Sequence, residues 1–451
     1  PPEKILAPEI NEKEKPGYWQ KELLRVGERL GADRKTVQQA IRAGQKQQEA
    51  FARLTRQGLT TPAAFARLTG RQPAPKRTYD PAARFDPQQI IGVMGHPYIL
   101  YDFVGHNVVD RLSEYGRVIT AEMVSWKAAQ KELATIYEGE KLWTYEARLL
   151  GAALHLLRQH LVHKMVFVEA FACGPASIIE PYIEEEAERQ GIPFLLVTVD
   201  EHTGEAGLLT RLEAFVDTAR GWTGQPATNK PAPVFIPGER PARLKVGAPS
   251  VGWAEPALAT VLEKCGVEML PTPPVTRKTV ELGKELAPEF ICYPMITTLG
   301  QIRELVEAGA GLIVMVGGKG RCRLGWYAQV QELLLKRKGY DFQLVIVDSP
   351  LPLTKNWGKF KEAVRLVAGN ASWPKIIRSF YLGYLKMKTL DDAEKLVRRK
   401  RAYEREPGAA RRVQRKLIRQ ISSANDPRDI ARFREEFAAE LAVVPEEPVT
   451  P

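Results

Sequence analysis

The sequence predicts an α/β protein with two doubly wound parallel-sheet lobes and helical additions at both ends. Short apolar runs alternate with amphipathic helical patterns in both halves of the chain, which is typical of parallel sheets covered by helices. The two terminal regions carry helical apolar periods instead. At 451 residues, 44% of them hydrophobic and 26% charged, the chain is long enough for two or three domains with real cores.

Residues 1–88 are expected to form a helical N-terminal region followed by a linker. Residues 17–70 carry helical apolar periods, and Thr61-Pro62 is typical of a helix start because proline is well tolerated at the first helical position. Residues 71–88 contain four prolines and many charges, which predicts a linker into the first lobe.

Each lobe is expected to be flavodoxin- or Rossmann-like, with its site at the carboxyl ends of the strands. The first lobe spans residues 89–222, and residues 223–243 form a second linker. The second lobe spans 244–370, and a basic helical extension with a polar tail spans 371–451. The predicted strands are 90–94, 117–120, 164–169 and 194–199 in the first lobe, and 244–247, 267–270, 312–316 and 344–347 in the second.

The net charge of +11 is concentrated late in the chain. Residues 395–419 contain eleven Lys and Arg residues against Glu404 and Glu406. Contact with nucleic acid or an acidic partner is one interpretation, and a solvated helical face is the one that we favour. Aromatic residues for base stacking are not interleaved with the charges, so we expect no nucleic-acid partner.

Three of the four cysteines lie in loops at predicted ends of elements. Cys173 follows the strand 164–169, Cys322 follows the glycine-rich loop Gly317-Gly-Lys-Gly320, and Cys292 precedes Pro294. A single cysteine is most often a small packing residue, and Cys265, at a predicted helix end, is interpreted in that way. Three converging thiolates could instead hold three irons of a cubane cluster, with the fourth iron open as a Lewis acid. Backbone amides of Gly174, Gly317, Gly318 and Gly320 could then donate hydrogen bonds to its sulfur atoms.

The loop after the strand 194–199 is the second candidate site. Glu201, His202 and Glu205 could transfer protons, although acidic residues at a helix start also have a purely structural role. We favour the functional role for His202 and Glu205, whereas for Asp200 and Thr203 a functional role and a helix-capping role are equally supported. His96, at the end of the strand 90–94, is a weaker candidate.

The sequence lacks the motifs that are typical of nucleotidases, dehydrogenases and hydrolases. The loop around Lys319 lacks the spacing of a Walker P-loop, and no complete G-x-G-x-x-G, G-x-S-x-G or H-E-x-x-H pattern occurs. Apolar runs stay short of the roughly 18 residues that span a bilayer. Residues 1–8 lack a signal-peptide core, so we expect a cytoplasmic protein with reduced cysteines and no membrane partner.

Motifs over roughly residues 30 to 420 resemble the 2-hydroxyacyl-CoA dehydratase superfamily, and most of all its CoA-substrate-specific enzyme activase-related branch. They surround the cysteines, the acidic loop and the late helices: Gly95-His-Pro-Tyr98, Phe171-Ala-Cys-Gly-Pro175, Asp200-Glu-His-Thr-Gly-Glu-Ala-Gly-Leu-Leu-Thr-Arg-Leu-Glu-Ala-Phe215, Pro273-Pro274, Pro288-Glu289-Phe290, Cys292-Tyr-Pro294, Gly320-Arg-Cys-Arg-Leu-Gly-Trp-Tyr327, Arg401-Ala-Tyr403-Glu404 and Gly408.

The resemblance implies an iron–sulfur protein of two similar α/β lobes, with Cys173, Cys292 and Cys322 as ligands of a [4Fe-4S] cluster. It implies a separate actin-like activator that delivers low-potential electrons at the expense of ATP, an acyl-CoA substrate, and a homo- or heterodimer. Three cysteines suffice for one cubane with an open iron and do not suffice for a double cubane. The chain has no actin-like ATPase motif, so the activator would be another chain.

Three hypotheses follow. The chain is a radical-type dehydratase or reductase component, or it is a non-catalytic iron–sulfur electron carrier or assembly partner that docks a larger complex. The third is a cluster-free α/β scaffold in which the cysteines only pack.

Overall fold

A computed structural model describes residues 6–8, 10, 17–72, 85–136, 142–218, 245–318, 322–348 and 353–447 of the chain. It confirms an α/β protein with two parallel sheets. The described residues belong to two compact units. The first lies within Pro1–Phe171 and Ile183–Lys230, and the second within Ala172–Tyr182 and Pro231–Pro451. The predicted linker at 223–243 falls outside the described residues.

The first unit contains a four-stranded sheet, preceded along the chain by three helices. The helix Ala176–Gln190 begins in the second unit and ends in the first. The elements up to residue 218 are α1 (Tyr18–Arg29), α2 (Arg34–Arg56), α3 (Thr61–Thr69), β1 (Asp86–Gly95), α4 (Pro97–Leu100), α5 (Val108–Leu112), β2 (Gly116–Thr120), α6 (Trp126–Leu133), α7 (Thr144–Arg158), β3 (Lys164–Ala170), α8 (Ala176–Gln190), β4 (Phe194–Val199) and α9 (Glu205–Thr218).

The sheet of the first unit has the order β2-β1-β3-β4, with all strands parallel. In the register, Val93 lies opposite Val166 and Gly95 opposite Val168. The chain reverses its winding between β1 and β3, which is the switch point at which doubly wound sheets form ligand sites. The loops after these two strands begin at His96 and Phe171, so both sequence-predicted loops start at this edge.

Burial of the strands explains why they appear in the sequence as short apolar runs. Val93, Val166 and Val197 are completely buried, as expected for parallel strands that are covered on both faces. Lys164 is also buried, and its ammonium group donates to the side-chain oxygen of Gln89 at 2.8 Å. This hydrogen bond satisfies a polar group at the start of β3 that burial would otherwise penalise.

The second unit contains a three-stranded parallel sheet of order β5-β6-β7 and a large helical part. The predicted strand 267–270 is reduced to a single bridge between Val246 and Met269. The elements are β5 (Val246–Gly247), α10 (Ala254–Cys265), α11 (Arg277–Lys284), α12 (Tyr293–Glu307), β6 (Leu312–Val316), α13 (Tyr327–Arg337), β7 (Gln343–Val347), α14 (Leu353–Ala368), α15 (Trp373–Arg401), α16 (Ala409–Ser423) and α17 (Pro427–Ala442).

Glycines allow two helices of the second unit to approach each other closely. A Cβ atom on Gly283 of α11 would lie 2.0 Å from the carbonyl oxygen of Ile296, and one on Gly300 of α12 would lie 1.9 Å from that of Thr279. Only residues without a side chain fit at both positions. The crossing of α11 and α12 is therefore fixed by two reciprocal glycine contacts.

The predicted helical extension after residue 371 folds as α15, α16 and α17, which share an apolar core. Leu390, Leu417, Ile421 and Phe437 are buried in it. None of the helices in the described parts of the chain is both long enough and apolar enough to cross a membrane.

Candidate functional site

The three loop cysteines all belong to the second unit, because the segment that follows β3 joins that unit at Ala172. Each stands just before a helix. Cys292 is the N-cap of α12, Cys322 is the N-cap of a short 3₁₀ helix that leads into α13, and Cys173 precedes α8. Cys322 is exposed and the other two are half-buried, and none of them forms a disulfide. The three sulfur atoms therefore lie in loops that lead directly into helices.

Two of the cysteine loops contain strained backbone. Ala172 has a φ of 57° and Phe290 a φ of 61°, a left-handed conformation that costs a non-glycine residue about 1–2 kcal/mol. The carbonyl groups of Cys173 and Cys292 then accept the N–H groups of Ser177 at 3.2 Å and Met295 at 2.9 Å. Strain of this kind persists where the surrounding structure enforces it, and it is concentrated at functional sites.

Tyr327 connects two of the cysteines. Its buried hydroxyl group contacts the sulfur of Cys292. Burial raises the pKa of Tyr327, and the thiol groups of Cys292 and Cys322 raise it further. The phenol is thus kept protonated, and it can donate a hydrogen bond to a Cys292 thiolate.

Arg323 connects the Cys322 loop with the Cys173 loop. Its guanidinium group lies against the backbone of Gly174, since a Cβ atom there would be 2.4 Å from its Cζ. Its Nη1 atom is buried, with no hydrogen-bond partner among the described residues. A buried, unpaired cationic donor costs about 1–3 kcal/mol or more unless an acceptor is present. An anion bound between the two loops would supply that acceptor.

In the glycine loop after β6, the N–H group of Gly317 is not available for the predicted hydrogen bond to a cluster. The N–H of Gly317 donates to the carbonyl oxygen of Val347 at 2.9 Å and is already used within the sheet. A Cβ atom on Gly325 would lie 2.5 Å from the carbonyl oxygen of Gly318, so the loop packs closely against the turn that follows Cys322. Gly320 lies outside the described residues.

Cys265 is a packing residue, as its sequence context predicts. It ends α10 and packs against the apolar clusters formed by β5, β6, β7 and the neighbouring helices. It therefore differs from the other three cysteines in its surroundings and serves as a natural control.

The three loop cysteines suit a cluster better than a single metal ion. Across the described parts of the chain, the only group of three or more His, Cys, Asp or Glu residues whose ligand atoms all lie within 4.8 Å of one another is Asp200, Glu201 and His202. One ion needs such a convergence, whereas the thiolates of a cubane bind different irons and stand farther apart. Three thiols in loops of one unit, together with the buried Nη1 atom of Arg323, are donors that a cluster with net negative charge would fit.

The acidic loop that precedes α9 belongs to the first unit. Asp200 caps its own loop, because its carboxylate accepts the N–H of His202 at 3.0 Å and the hydroxyl of Thr203 at 2.8 Å. These hydrogen bonds, that of Thr203 first, lower the pKa of Asp200. Glu205 is bound by the buried guanidinium group of Arg111, whereas the side chain of His202 is 82% exposed. His202 is accessible for proton transfer, and Glu205 is held in place.

A buried polar cluster next to His96 was missed by the sequence analysis. His96 contacts the carboxylate of Glu146 at 3.1 Å and stacks on Tyr145, whose hydroxyl donates to the carboxylate of Glu122. Burial and then the charge of Glu122 raise the pKa of Tyr145. His96 and Glu146 are fifty residues apart in the sequence. The helical period of α7 does not indicate that a polar residue of this helix contacts the end of a distant strand.

Comparison with known proteins gives one match. Residues 2–124 match a family model described as the CoA enzyme activase uncharacterised domain. This match agrees with the resemblance to the activase-related branch of the 2-hydroxyacyl-CoA dehydratase superfamily, and it covers a part of the chain that precedes all four cysteines. No curated protein and no solved structure matches the chain.

Proposed function

We propose that the chain is an iron–sulfur protein that binds a [4Fe-4S] cluster through Cys173, Cys292 and Cys322. It would receive low-potential electrons from a separate ATP-dependent, actin-like activator chain. The electrons would serve a reductive or dehydration reaction on an acyl-CoA. The activase-related domain at residues 2–124 supports the link to this chemistry.

One observation supports the proposal most. Three thiol-bearing loops belong to one unit, and between two of them lies the half-buried Arg323, whose buried Nη1 atom has no hydrogen-bond partner among the described residues. Cysteines that only pack would resemble Cys265, which ends a helix and contacts apolar side chains. The loop cysteines instead precede helices, and Cys322 is exposed.

The residues of the two candidate sites would have the following roles. Cys173, Cys292 and Cys322 would hold the cluster, which would supply one-electron transfer. Tyr327 would donate to the sulfur of a Cys292 thiolate, and Arg323 would donate to a negative charge between the loops. Such hydrogen bonds to sulfur raise a reduction potential. In the first unit, His202 and Glu201 are our candidates for proton transfer, and Arg111 fixes the position of Glu205.

Anaerobic purification and reconstitution with iron and sulfide test the proposal. We expect about four irons per chain and a reduced-state EPR signal of a [4Fe-4S] cluster. Serine in place of Cys173, Cys292 or Cys322 should each lower the iron content severely, because a hydroxyl group is a poor ligand for iron–sulfur clusters.

The matched control is Cys265→Ser, which removes a thiol from a packing position and should leave the iron content unchanged. Iron that stays below one atom per chain after reconstitution would overturn the cluster. Equal iron loss in all four serine variants would show that the site residues are assigned wrongly. Electron transfer from a purified ATP-dependent activator, followed by the bleaching of the cluster absorbance on addition of ATP, then tests the proposed electron source.

A further inference from the structure

The structure gives the basic segment 395–419 a specific arrangement. Within the part of the chain that the structure describes, six of its eleven cations contact carboxylates. They are Lys395, Arg398, Lys400, Arg405, Arg412 and Lys416, which pair with Asp392, Glu394, Glu446, Glu447, Glu406 and Glu440. The other five, Arg399, Arg401, Arg411, Arg415 and Arg419, have no carboxylate partner among the described residues.

Three of these five unpaired arginines line one cavity. The cavity has a volume of about 390 Å³ and lies where the end of α15 meets α16, and Arg401, Arg411 and Arg415 face it. Its acidic group, Glu394, already accepts hydrogen bonds from Arg398 at 2.5 Å and from the indole of Trp253 at 2.8 Å. Among the described residues, Glu394 therefore forms no ion pair with the three arginines, and only Arg401 has another carboxylate, Glu404, acting on it through its charge.

Binding of an anion would lower the electrostatic free energy of this group of arginines. Like charges around one cavity repel each other, and a bound anion relieves the repulsion and accepts several N–H groups at once. Guanidinium groups match the geometry of phosphate oxygens in bidentate pairs, which makes arginine the residue best suited to phosphate recognition. A solvated helical face would not need its unpaired arginines to converge on one cavity.

The cavity also has an apolar wall. Trp253, Val397 and Ile418 line it, and the indole of Trp253 is fixed by its hydrogen bond to Glu394 and by packing against the core of α15–α17. The volume lies within the range of small-molecule sites, about 300–1,000 Å³. Inorganic phosphate alone would leave the apolar lining unused.

We propose that this cavity binds an organic diphosphate or polyphosphate, with the phosphates on Arg401, Arg411 and Arg415 and the organic group against Trp253. None of the cavity residues belongs to a cysteine loop, so this proposal does not depend on whether the chain binds a cluster.

Calorimetric titration of the full-length protein with ADP and with pyrophosphate tests the site. The double variant Arg411→Gln/Arg415→Gln should bind both ligands at least about tenfold more weakly, since one charge-assisted bidentate pair accounts for that much. The matched control is Arg399→Gln/Arg419→Gln, which removes two equally exposed, unpaired arginines outside the cavity and should change the affinity less than about twofold. Circular dichroism of each variant checks that the fold is kept.

Trp253→Phe tests the contact with the organic group separately from the contacts with the phosphates. We expect it to weaken ADP several-fold and to leave pyrophosphate unchanged. Equal losses in the two double variants would overturn the site in favour of unspecific charge attraction, and so would the absence of binding at millimolar ligand. A single-stranded oligonucleotide that competes with ADP at much lower concentration would overturn the small-molecule ligand in favour of nucleic acid.

Discussion

The hydroxyl group of Tyr327 shows how a single contact can tune the proposed site. It is buried, it touches the sulfur of Cys292, and burial together with the neighbouring thiols raises its pKa. It therefore stays a hydrogen-bond donor over the whole neutral range. Donation to a ligand thiolate draws electron density from the sulfur, which makes reduction of a bound cluster easier.

Tyr327→Phe should lower the reduction potential of the reconstituted protein without loss of iron. One hydrogen bond of about 1 kcal/mol corresponds to roughly 40 mV for a one-electron couple. An EPR-monitored redox titration measures the shift. Tyr340→Phe is the control, because that hydroxyl donates to Glu307 at 2.8 Å and has no contact with a cysteine. An unchanged potential in Tyr327→Phe would refute a donor role for this hydroxyl.

At the residue scale, sequence reasoning identified cysteines more easily than their surroundings. The positions of Cys173, Cys292 and Cys322 before helices follow from apolar runs and nearby glycine and proline residues. Their partners do not, because Tyr327 and Arg323 look like ordinary residues at a helix start. Gly174 was predicted to bind a cofactor, and the structure shows it making room for the guanidinium group of Arg323. Such a contact between distant loops leaves no local pattern.

At the scale of elements, buried strands were the most predictable part of the fold. Residues 194–199 and 312–316 form strands with the predicted bounds. A short apolar run bounded by polar or glycine residues is typical of a buried strand. Residues 267–270 share that pattern, yet only Met269 bridges to β5. Whether such a run pairs along its length depends on the neighbouring strand, and β5 is only two residues long.

The α11–α12 crossing gives a prediction at this scale. Gly300→Ala should destabilise the protein by about 1–3 kcal/mol, because its Cβ atom would lie 1.9 Å from the carbonyl oxygen of Thr279 and the helices would have to move apart. Since Cys292 caps α12, we also expect lower iron occupancy after reconstitution.

Gly358→Ala is the matched control for Gly300→Ala. Gly358 lies within α14, and a Cβ atom there would have no neighbour within 4 Å. Alanine should stabilise that helix by about 0.5–1 kcal/mol because it loses less backbone entropy on folding. Urea unfolding measures both variants. Two effects of the same sign would contradict the crossing contact as the reason for Gly300.

At the scale of the whole molecule, the division of the chain was harder to predict than its fold class. The strand–helix alternation predicts two sheets, and both are present. It does not predict that Ala172–Tyr182 belongs to the second unit while β3 and the end of α8 belong to the first. Pro181, inside α8, lies next to this change of unit, and proline removes a backbone hydrogen bond at such a point. Unit membership depends on packing over long sequence distances, which periodicity does not record.

The dependence of stability on pH is also a property of the whole molecule, and Glu186 contributes to it. Its buried carboxylate accepts from Arg158 at 2.9 Å and from Gln190 at 2.8 Å, and it also contacts Arg189. Arg158 in turn contacts Glu132 at 2.9 Å, so the network joins α6, α7 and α8. Burial acts to raise the pKa of Glu186, but the hydrogen bonds from Arg158 and Gln190, together with the charges of Arg158 and Arg189, outweigh it. The folded-state pKa therefore lies below the ordinary value of 4.5.

Glu186→Gln should therefore lower the free energy of unfolding by about 2–3 kcal/mol at pH 7, because it leaves two guanidinium groups without their shared anion. A depressed carboxylate pKa stabilises the fold above the unfolded-state pKa, and this stabilisation is lost as the pH falls through the folded-state value. The difference between wild type and variant should thus be constant from pH 7 to about 5 and shrink below 4.5. Urea unfolding at each pH measures it, with Glu435→Gln as a control, since that exposed carboxylate has no ion pair among the described residues. A difference that persists unchanged at pH 3.5 would mean that Glu186 acts through packing and not through its charge.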